Sequence, residues 1–297
     1  MKVVIALGGN ALGNDVSTQK ENITKAIKDL IPVLKDNQVV LTHGNGPQVG
    51  MINKVFNDSN INMPFPESTA MSQGYIGYHM IKELKKQLKE NNINKKVVAV
   101  ITEVGVSKDD IAFENPTKPI GNFYTKEEAE ELMKIDNSIY KEDSGRGYRK
   151  YIASPEPVVV DEYNTINNLL ENNYIVISVG GGGIPYLVEN NLPCEAVIDK
   201  DKASAKLANL IKAEKLIILT AVDNVQINFG QESAKSLFEV SISDVSNYLK
   251  NGEFGEGSMK PKIEASLKFL EDKNSKEVVI TSLDKVSKIK EATIIKK

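Results

Sequence analysis

The chain has 297 residues, 41% of them hydrophobic and 26% charged, with a formal net charge of −3. That length holds one large domain or two modest ones, and the mildly acidic balance argues against nucleic acid or an anionic membrane as the main partner. One cysteine, Cys194, excludes an internal disulfide and a cysteine-based zinc site, and two histidines, His43 and His79, leave little material for a histidine metal site.

From the N-terminus, residues 3–7 read as a buried strand that breaks at Gly8-Gly9-Asn10. That apolar run is too short for a secretory core, and no run approaches the roughly 18 apolar residues that span a bilayer. A cytoplasmic protein without a membrane segment is expected. A helix over 18–36 follows, which Pro32 is expected to kink or end. Strand 39–42 runs into His43-Gly44-Asn45-Gly46, and Gly46-Pro47 places proline at the start of a helix over 47–57. His43 has two readings, a ligand contact or a structural hydrogen bond in the turn. His79, inside a predicted helix over 68–91, reads as packing or surface. A strand over 97–102 comes next.

The stretch from 113 to 157 departs from this alternation. It carries Asn115-Pro116-Thr117-Lys118-Pro119, a short acidic helix over 126–134 and a hairpin around Ser144-Gly145-Arg146-Gly147. It reads as an inserted, partly mobile flap.

A helix over 162–172 and a strand over 175–179 lead into Gly180-Gly181-Gly182-Gly183, which Ile184-Pro185 pins between ordered elements. Cys194 follows Pro193 in a loop with no histidine near it in sequence, which argues against a cysteine nucleophile. A strand over 196–198 ends on Asp199-Lys200-Asp201-Lys202, at the start of a helix over 202–212. The aspartates suit a helix N-terminus, so capping explains them; Lys200, between two carboxylates, is the functional candidate. Strand 215–220 ends on Thr220-Ala221-Val222-Asp223. Ser258 is positioned to cap a helix over 259–272, whose first turn holds Lys260 and Lys262. Cations there oppose the helix dipole unless an anion docks, and the competing reading is a solvated surface pair. The last strand covers 278–281.

Continuous Val- and Ile-rich runs alternating with amphipathic helices predict a three-layer α/β/α sandwich around a central, mainly parallel sheet, with the flap as a small protruding subdomain. The glycine and aspartate turns all fall at carboxyl ends of strands, where open α/β sheets bind ligands. A glycine turn before a helix offers backbone N–H groups to an anion. Neither a Walker A sequence, nor a dinucleotide fingerprint, nor a nucleophile elbow is present, so if phosphate is bound it is by another design.

LGGNAL, THGNGPQVG, NPTKPIG, KEDSGRGYRK, SVGGGGIP, AVIDKDKAS, LTAVDNVQINF and GSMKPKIEA, in that order and over almost the whole chain, closely resemble the carbamate kinases of the amino acid kinase superfamily. The resemblance implies a single domain over 1–297 and a reversible phosphoryl transfer in which carbamoyl phosphate and ADP give ATP and carbamate. Magnesium would enter with the nucleotide, with no protein ligand implied for it. The acyl phosphate would lie over Gly8, Gly9, Asn10, Gly44, Asn45 and Gly46, with Gly180, Gly181 and Gly182 as the floor. The nucleotide would sit over about 191–297, near Thr220, Asp223, Ser258 and Met259. By the same resemblance Lys200 and Lys262 hold the transferring phosphoryl group, Asp201 orients them, and Lys118 comes from the flap. A homodimer is implied as well.

Those roles suit the chemistry, because phosphoryl transfer needs alignment and charge neutralisation, and carbamate is already an anion that needs no general base. Ala221, Gln226 and Lys260 depart from the family's pattern of glycine, an aromatic and an apolar residue, and the first two bear on nucleotide affinity. Two other readings stand beside this one. One is a kinase for another small carboxylate or phosphonate on the same scaffold. The other is a non-catalytic nucleotide sensor, which predicts loss of at least one of Lys118, Lys200 and Lys262; all three are present. Whether the pathway is arginine breakdown or another is not written in these residues.

Overall fold

Eight strands form the central sheet, in the spatial order Glu239–Ser241, Thr293–Lys296, Glu277–Ser282, Lys215–Thr220, Lys2–Leu7, Gln38–His43, Tyr174–Ile177 and Lys96–Ala99. Every neighbouring pair is parallel except Thr293–Lys296 against Glu277–Ser282. This computed structural model describes residues 1–8, 12–13, 15–59, 61, 63–143, 145–255 and 258–297, with only the backbone of Ser287.

Alternation along the first strand sends Val3, Ile5 and Leu7 to one face, against Ile27 and Leu30 of helix Val16–Asp36 and Met80 and Leu84 of helix Phe65–Glu90. Val4 and Ala6 face the opposite layer, where Leu207 of helix Lys200–Leu210 and Ile263 and Phe269 of helix Lys260–Leu270 pack. Helices Tyr163–Glu171 and Ile242–Lys250 complete that layer through Ile166 and Val245. Helices on both faces explain the unbroken apolar strands, and the α/β/α sandwich stands as expected.

Pro32 does not end the first helix, which runs on to Asp36. The ring faces solvent, as does Lys28 one turn before it, so water can serve the carbonyl that loses its N–H partner. The predicted strand over 97–102 stops at Ala99. Thr102 is fully buried, and the chain then enters a second sheet of Leu192–Pro193, Ile184–Leu187, Glu103–Val106 and Val159–Val160. Residues 196–198 form no strand: Ala196 makes one isolated bridge to Ala153 before the chain turns into the Asp199 cap. Strands Glu239–Ser241 and Thr293–Lys296 and helix Ile242–Lys250, opened by a Ser241 cap, add to the predicted set.

The insertion is an antiparallel sheet of Lys118–Tyr124, Tyr148–Ile152 and Ile139–Glu142. Helix Lys126–Asp136 backs it, started by a capping box between Thr125 and Glu128. Its return strand is tied to the body where Val197 N–H donates to the Ala153 carbonyl at 2.9 Å. Among the described residues, no helix is long and apolar enough to cross a membrane.

Candidate active site

Four adjacent parallel strands, Lys215–Thr220, Lys2–Leu7, Gln38–His43 and Tyr174–Ile177, end on the turns singled out in sequence. Parallel register brings those ends to one edge of the sheet. The Gly44 N–H donates to the Leu7 carbonyl at 3.0 Å and locks the second turn beside the first. Gly8 abuts the neighbouring strand, where a Cβ would lie 3.1 Å from the Leu219 carbonyl oxygen. Gly9 and Asn10 lie outside the described residues.

The second turn is built from buried polar groups. Asn45 precedes helix Gly46–Asp58 but spends its side chain elsewhere, donating to Ser72 Oγ at 2.8 Å. His43 is 1% exposed, with Nδ1 2.9 Å from the Gly44 carbonyl oxygen. A carbonyl only accepts, so Nδ1 carries the proton. Burial pushes the imidazole down to about 4, the Gly44 carbonyl opposes this, and the Lys200 charge adds to it. The structural hydrogen bond that the sequence suggested for His43 is present. His79 packs edge-on against Tyr75 and Tyr78 at 5.0 and 5.1 Å.

The glycine floor packs tightly onto this turn. Gly181 has φ +67°, and a Cβ there would fall 2.1 Å from Asn45 Nδ2; at Gly182, φ +94°, it would fall 2.1 Å from the Ile198 carbonyl oxygen. Only glycine fits either place. Gln73, buried in helix Phe65–Glu90, donates to the Gly180 carbonyl at 3.0 Å and accepts from the Thr102 N–H at 2.8 Å. Thr102 Oγ1 in turn accepts from Val179 N–H at 3.1 Å. Val179 itself sits at φ +52°, a left-handed conformation that a β-branched residue rarely adopts.

The lysines gather on the far side of this floor. Asp199 caps helix Lys200–Leu210, accepting from Asp201 and Lys202 N–H at 2.9 and 3.3 Å. Asp201, 2% exposed, holds Lys200 on Oδ1 and Lys262 on Oδ2, the latter at 3.1 Å. Burial pushes its carboxyl up, yet the two ammonium groups outweigh that and hold it below the usual carboxylate range. Lys262 Nζ also lies 3.3 Å from the Ser258 carbonyl oxygen. Thr42 Oγ1 and Ser204 Oγ are 2.6 Å apart, and Ser204 Oγ donates to the Lys200 carbonyl, fastening this helix to the strand before His43. Lys118 Nζ, from the flap, pairs with Asp199 Oδ2 at 3.8 Å.

A cavity of about 130 Å³ lies beside the glycine floor, lined among others by Asn45, Gly46, Gly181, Lys118 and Arg149. A wider groove of about 810 Å³ runs beside Glu156, Lys202 and Glu264, where Lys202 pairs with both carboxylates. Thr220 is half-buried at its strand end, Asp223 and Ser258 are exposed, and Met259 packs on the core. Ser258 does not cap by its side chain: the helix starts at Lys260 with Met259 as an uncapped N-cap. Gln226 donates to Ser236 Oγ at 3.2 Å within a small hairpin. Cys194 is half-buried, and burial pushes its thiol up to about 11, which disfavours the thiolate. Arg149, Gln73 and the Thr42–Ser204 tether were not visible as site residues; only the charged run around Arg149 signalled anything.

A sequence profile described as the Amino acid kinase family matches residues 1–282. The chain is 47% identical over 290 residues to carbamate kinase 3 of Staphylococcus aureus, covering 95% of this chain and 94% of that protein. It is 47% identical over 295 residues to the carbamate kinase-like protein YqeA of Escherichia coli, covering 96% and 94%. Among solved structures, carbamate kinase from Giardia lamblia bound to AMP-PNP superposes with a TM-score of 0.93 at 40% identity, covering 100% of this chain and 98% of that one.

Proposed function

The chain belongs to the amino acid kinase family, and from that premise we propose that it is a carbamate kinase, moving a phosphoryl group between carbamoyl phosphate and ADP. In the direction of ATP synthesis the acyl O–P bond breaks, a β-phosphate oxygen of ADP takes the phosphoryl group, and carbamate leaves as an anion. The observation that carries this reading is the Lys200–Asp201–Lys262 cluster beside a small cavity floored by close-packed glycines.

Asp201 keeps two ammonium groups facing the same place and stays ionised because they hold its carboxyl low. A phosphoryl group in flight spreads charge over its oxygens, which Lys200 and Lys262 neutralise without a general base. Lys118 approaches from the flap and excludes water from an acyl phosphate prone to hydrolysis. Gly46 and Asn45 border the acyl end, and Gly8, Gly44, Gly180 and Gly182 shape its walls; Gly9 and Asn10 belong with them by the family pattern. Residues from about 191 onward, with Thr220, Asp223, Ser258 and Met259, take the nucleotide.

Magnesium fits as an ion that travels with that nucleotide. Among the described residues no three His, Cys, Asp or Glu side chains gather to cage a metal, and Asp201 is engaged by two lysines. Phosphate oxygens and water are its expected ligands, and bound there it neutralises phosphate charge. A cytoplasmic homodimer serving arginine breakdown is the accompanying biological reading. ATP formation from carbamoyl phosphate and ADP with magnesium tests the assignment. Folded protein that forms none, or that prefers another small acyl phosphate, refutes it.

A further inference from the structure

Arg149 lies on the flap strand Tyr148–Ile152 and lines the 130 Å³ cavity together with Lys118. Its guanidinium is held from two directions. Nη1 lies 3.2 Å from Asp143 Oδ2, a carboxylate it shares with Arg146, and the group stacks over the Phe123 ring at 5.0 Å. Its Nε is buried with no hydrogen-bond partner among the described residues. A buried N–H on a cation costs free energy unless something accepts it, and among the described residues no carboxylate lines this cavity.

The rest of the lining tells what that acceptor is. Val49, Phe65, Ile120 and Val197 form an apolar wall along the cavity. Lys118, which lines the cavity with Arg149, also pairs with Asp199, next to Lys200 in the chain, and so links the cavity to the Lys200–Lys262 pair. The phosphoryl group belongs with the first pair; what remains at the Arg149 end is small, planar and oxygen-bearing. A guanidinium fork matches such a carboxyl or carboxamide plane better than an ammonium does.

Resting on the carbamate kinase reading, we propose that Arg149 binds the carboxyl end of the substrate, the carbonyl oxygen of carbamoyl phosphate and the same atoms in carbamate. It is a substrate-anchoring residue that sets which acyl group is accepted.

Steady-state kinetics of wild type, Arg149→Gln and Arg149→Lys test it, with Phe123→Leu as a milder variant that keeps the fork and removes its stacking face. Wild-type turnover of carbamoyl phosphate tests the underlying reading separately. Arg149→Gln is expected to raise KM for carbamoyl phosphate and for carbamate by the same factor, about tenfold to a hundredfold. KM for ADP and ATP stays within about twofold, and Arg149→Lys recovers little, because a point charge replaces the fork. Phe123→Leu moves in the same direction by about threefold, the size of an exposed cation–π contact. An unchanged KM for both acyl substrates overturns the proposal, and so does a parallel loss of nucleotide affinity. A rise for carbamoyl phosphate alone would put the guanidinium on the phosphoryl group and overturn it equally.

Discussion

Lys262 reaches across from its own helix to set Nζ 3.1 Å from Oδ2 of Asp201, whose other oxygen holds Lys200. One buried carboxylate thus serves two cations from helices that begin about sixty residues apart. Replacing it by a neutral amide, Asp201→Asn, leaves two close ammonium groups without their counter-ion. Stability is expected to fall by about 3 kcal/mol and kcat by at least about a hundredfold. Sulfate should raise the thermal midpoint of the variant more than that of wild type, because a dianion can take over the role. Equal shifts in both proteins would sink this account.

Lys118 behaves differently. Its side chain is 38% exposed and its pairing with Asp199 spans 3.8 Å, so the ion pair adds less than about 1 kcal/mol to stability. Lys118→Met is expected to leave denaturant unfolding nearly unchanged while lowering kcat by about tenfold to a thousandfold. A variant that unfolds easily yet turns over normally would reverse the assignment.

The contrast between these lysines also marks what could be read in advance. Asp199, Lys200 and Asp201 are consecutive, so their place at a helix start is a local matter of capping and was legible. The meeting of Asp201 with Lys262 depends on how two helices pack on one face of the sheet, which spacing alone does not encode. Gly181 and Gly182 were legible because close approach and positive φ leave few alternatives to glycine. Arg149 was not, because only the orientation of the flap distinguishes it from its neighbours Arg146 and Lys150. Residues 196–198 have strand-forming side chains but meet a partner at Ala196 alone. Ser258 has a capping side chain, yet the helix starts after Met259. Strands Glu239–Ser241 and Thr293–Lys296 are short and of mixed polarity, and they gain their structure from the sheet edge they extend.

His43 couples stability to pH. Its folded value of about 4 lies below the ordinary 6.5, so between these the unfolded chain binds the extra proton. The contribution is full above pH 6.5 and is lost as pH falls toward 4, by about 3 kcal/mol in total. Urea unfolding at pH 7 and pH 5 measures it, and the difference should shrink in His43→Asn. No inflection near 6.5 from this residue is expected in the pH–rate profile, since the ring stays neutral across that range.

Two glycines should respond in opposite ways. A Cβ at Gly46 meets nothing within 4 Å and points into open space by the cavity, so Gly46→Ala should fold normally and raise KM for the acyl substrate by about tenfold. A Cβ at Gly182 would collide with the Ile198 carbonyl oxygen at 2.1 Å, in a backbone conformation hostile to side chains. Gly182→Ala should cost more than about 3 kcal/mol. Thermal melts and kinetics on the pair separate the two effects, and matching behaviour would refute the distinction.

Val179, Gly181, Gly182 and Gly183 all have positive φ, four of five consecutive residues wound against the chain's natural hand. Two turn bonds close this ribbon locally, from Gly182 N–H to the Val179 carbonyl at 3.2 Å and from Gly183 N–H to the Gly180 carbonyl at 3.1 Å; its other contacts, with His43, Asn45, Gln73, Thr102, Val104 and Ile198, come from elsewhere in the chain. Because those partners are distant in sequence, it is expected to form only once the strands have docked. Damage to this turn consequently appears as faster unfolding rather than slower folding. The floor of the crevice is thus expected among the last parts of the molecule to form, and variants of it should lose activity on heating or in denaturant before the sheet beneath it collapses.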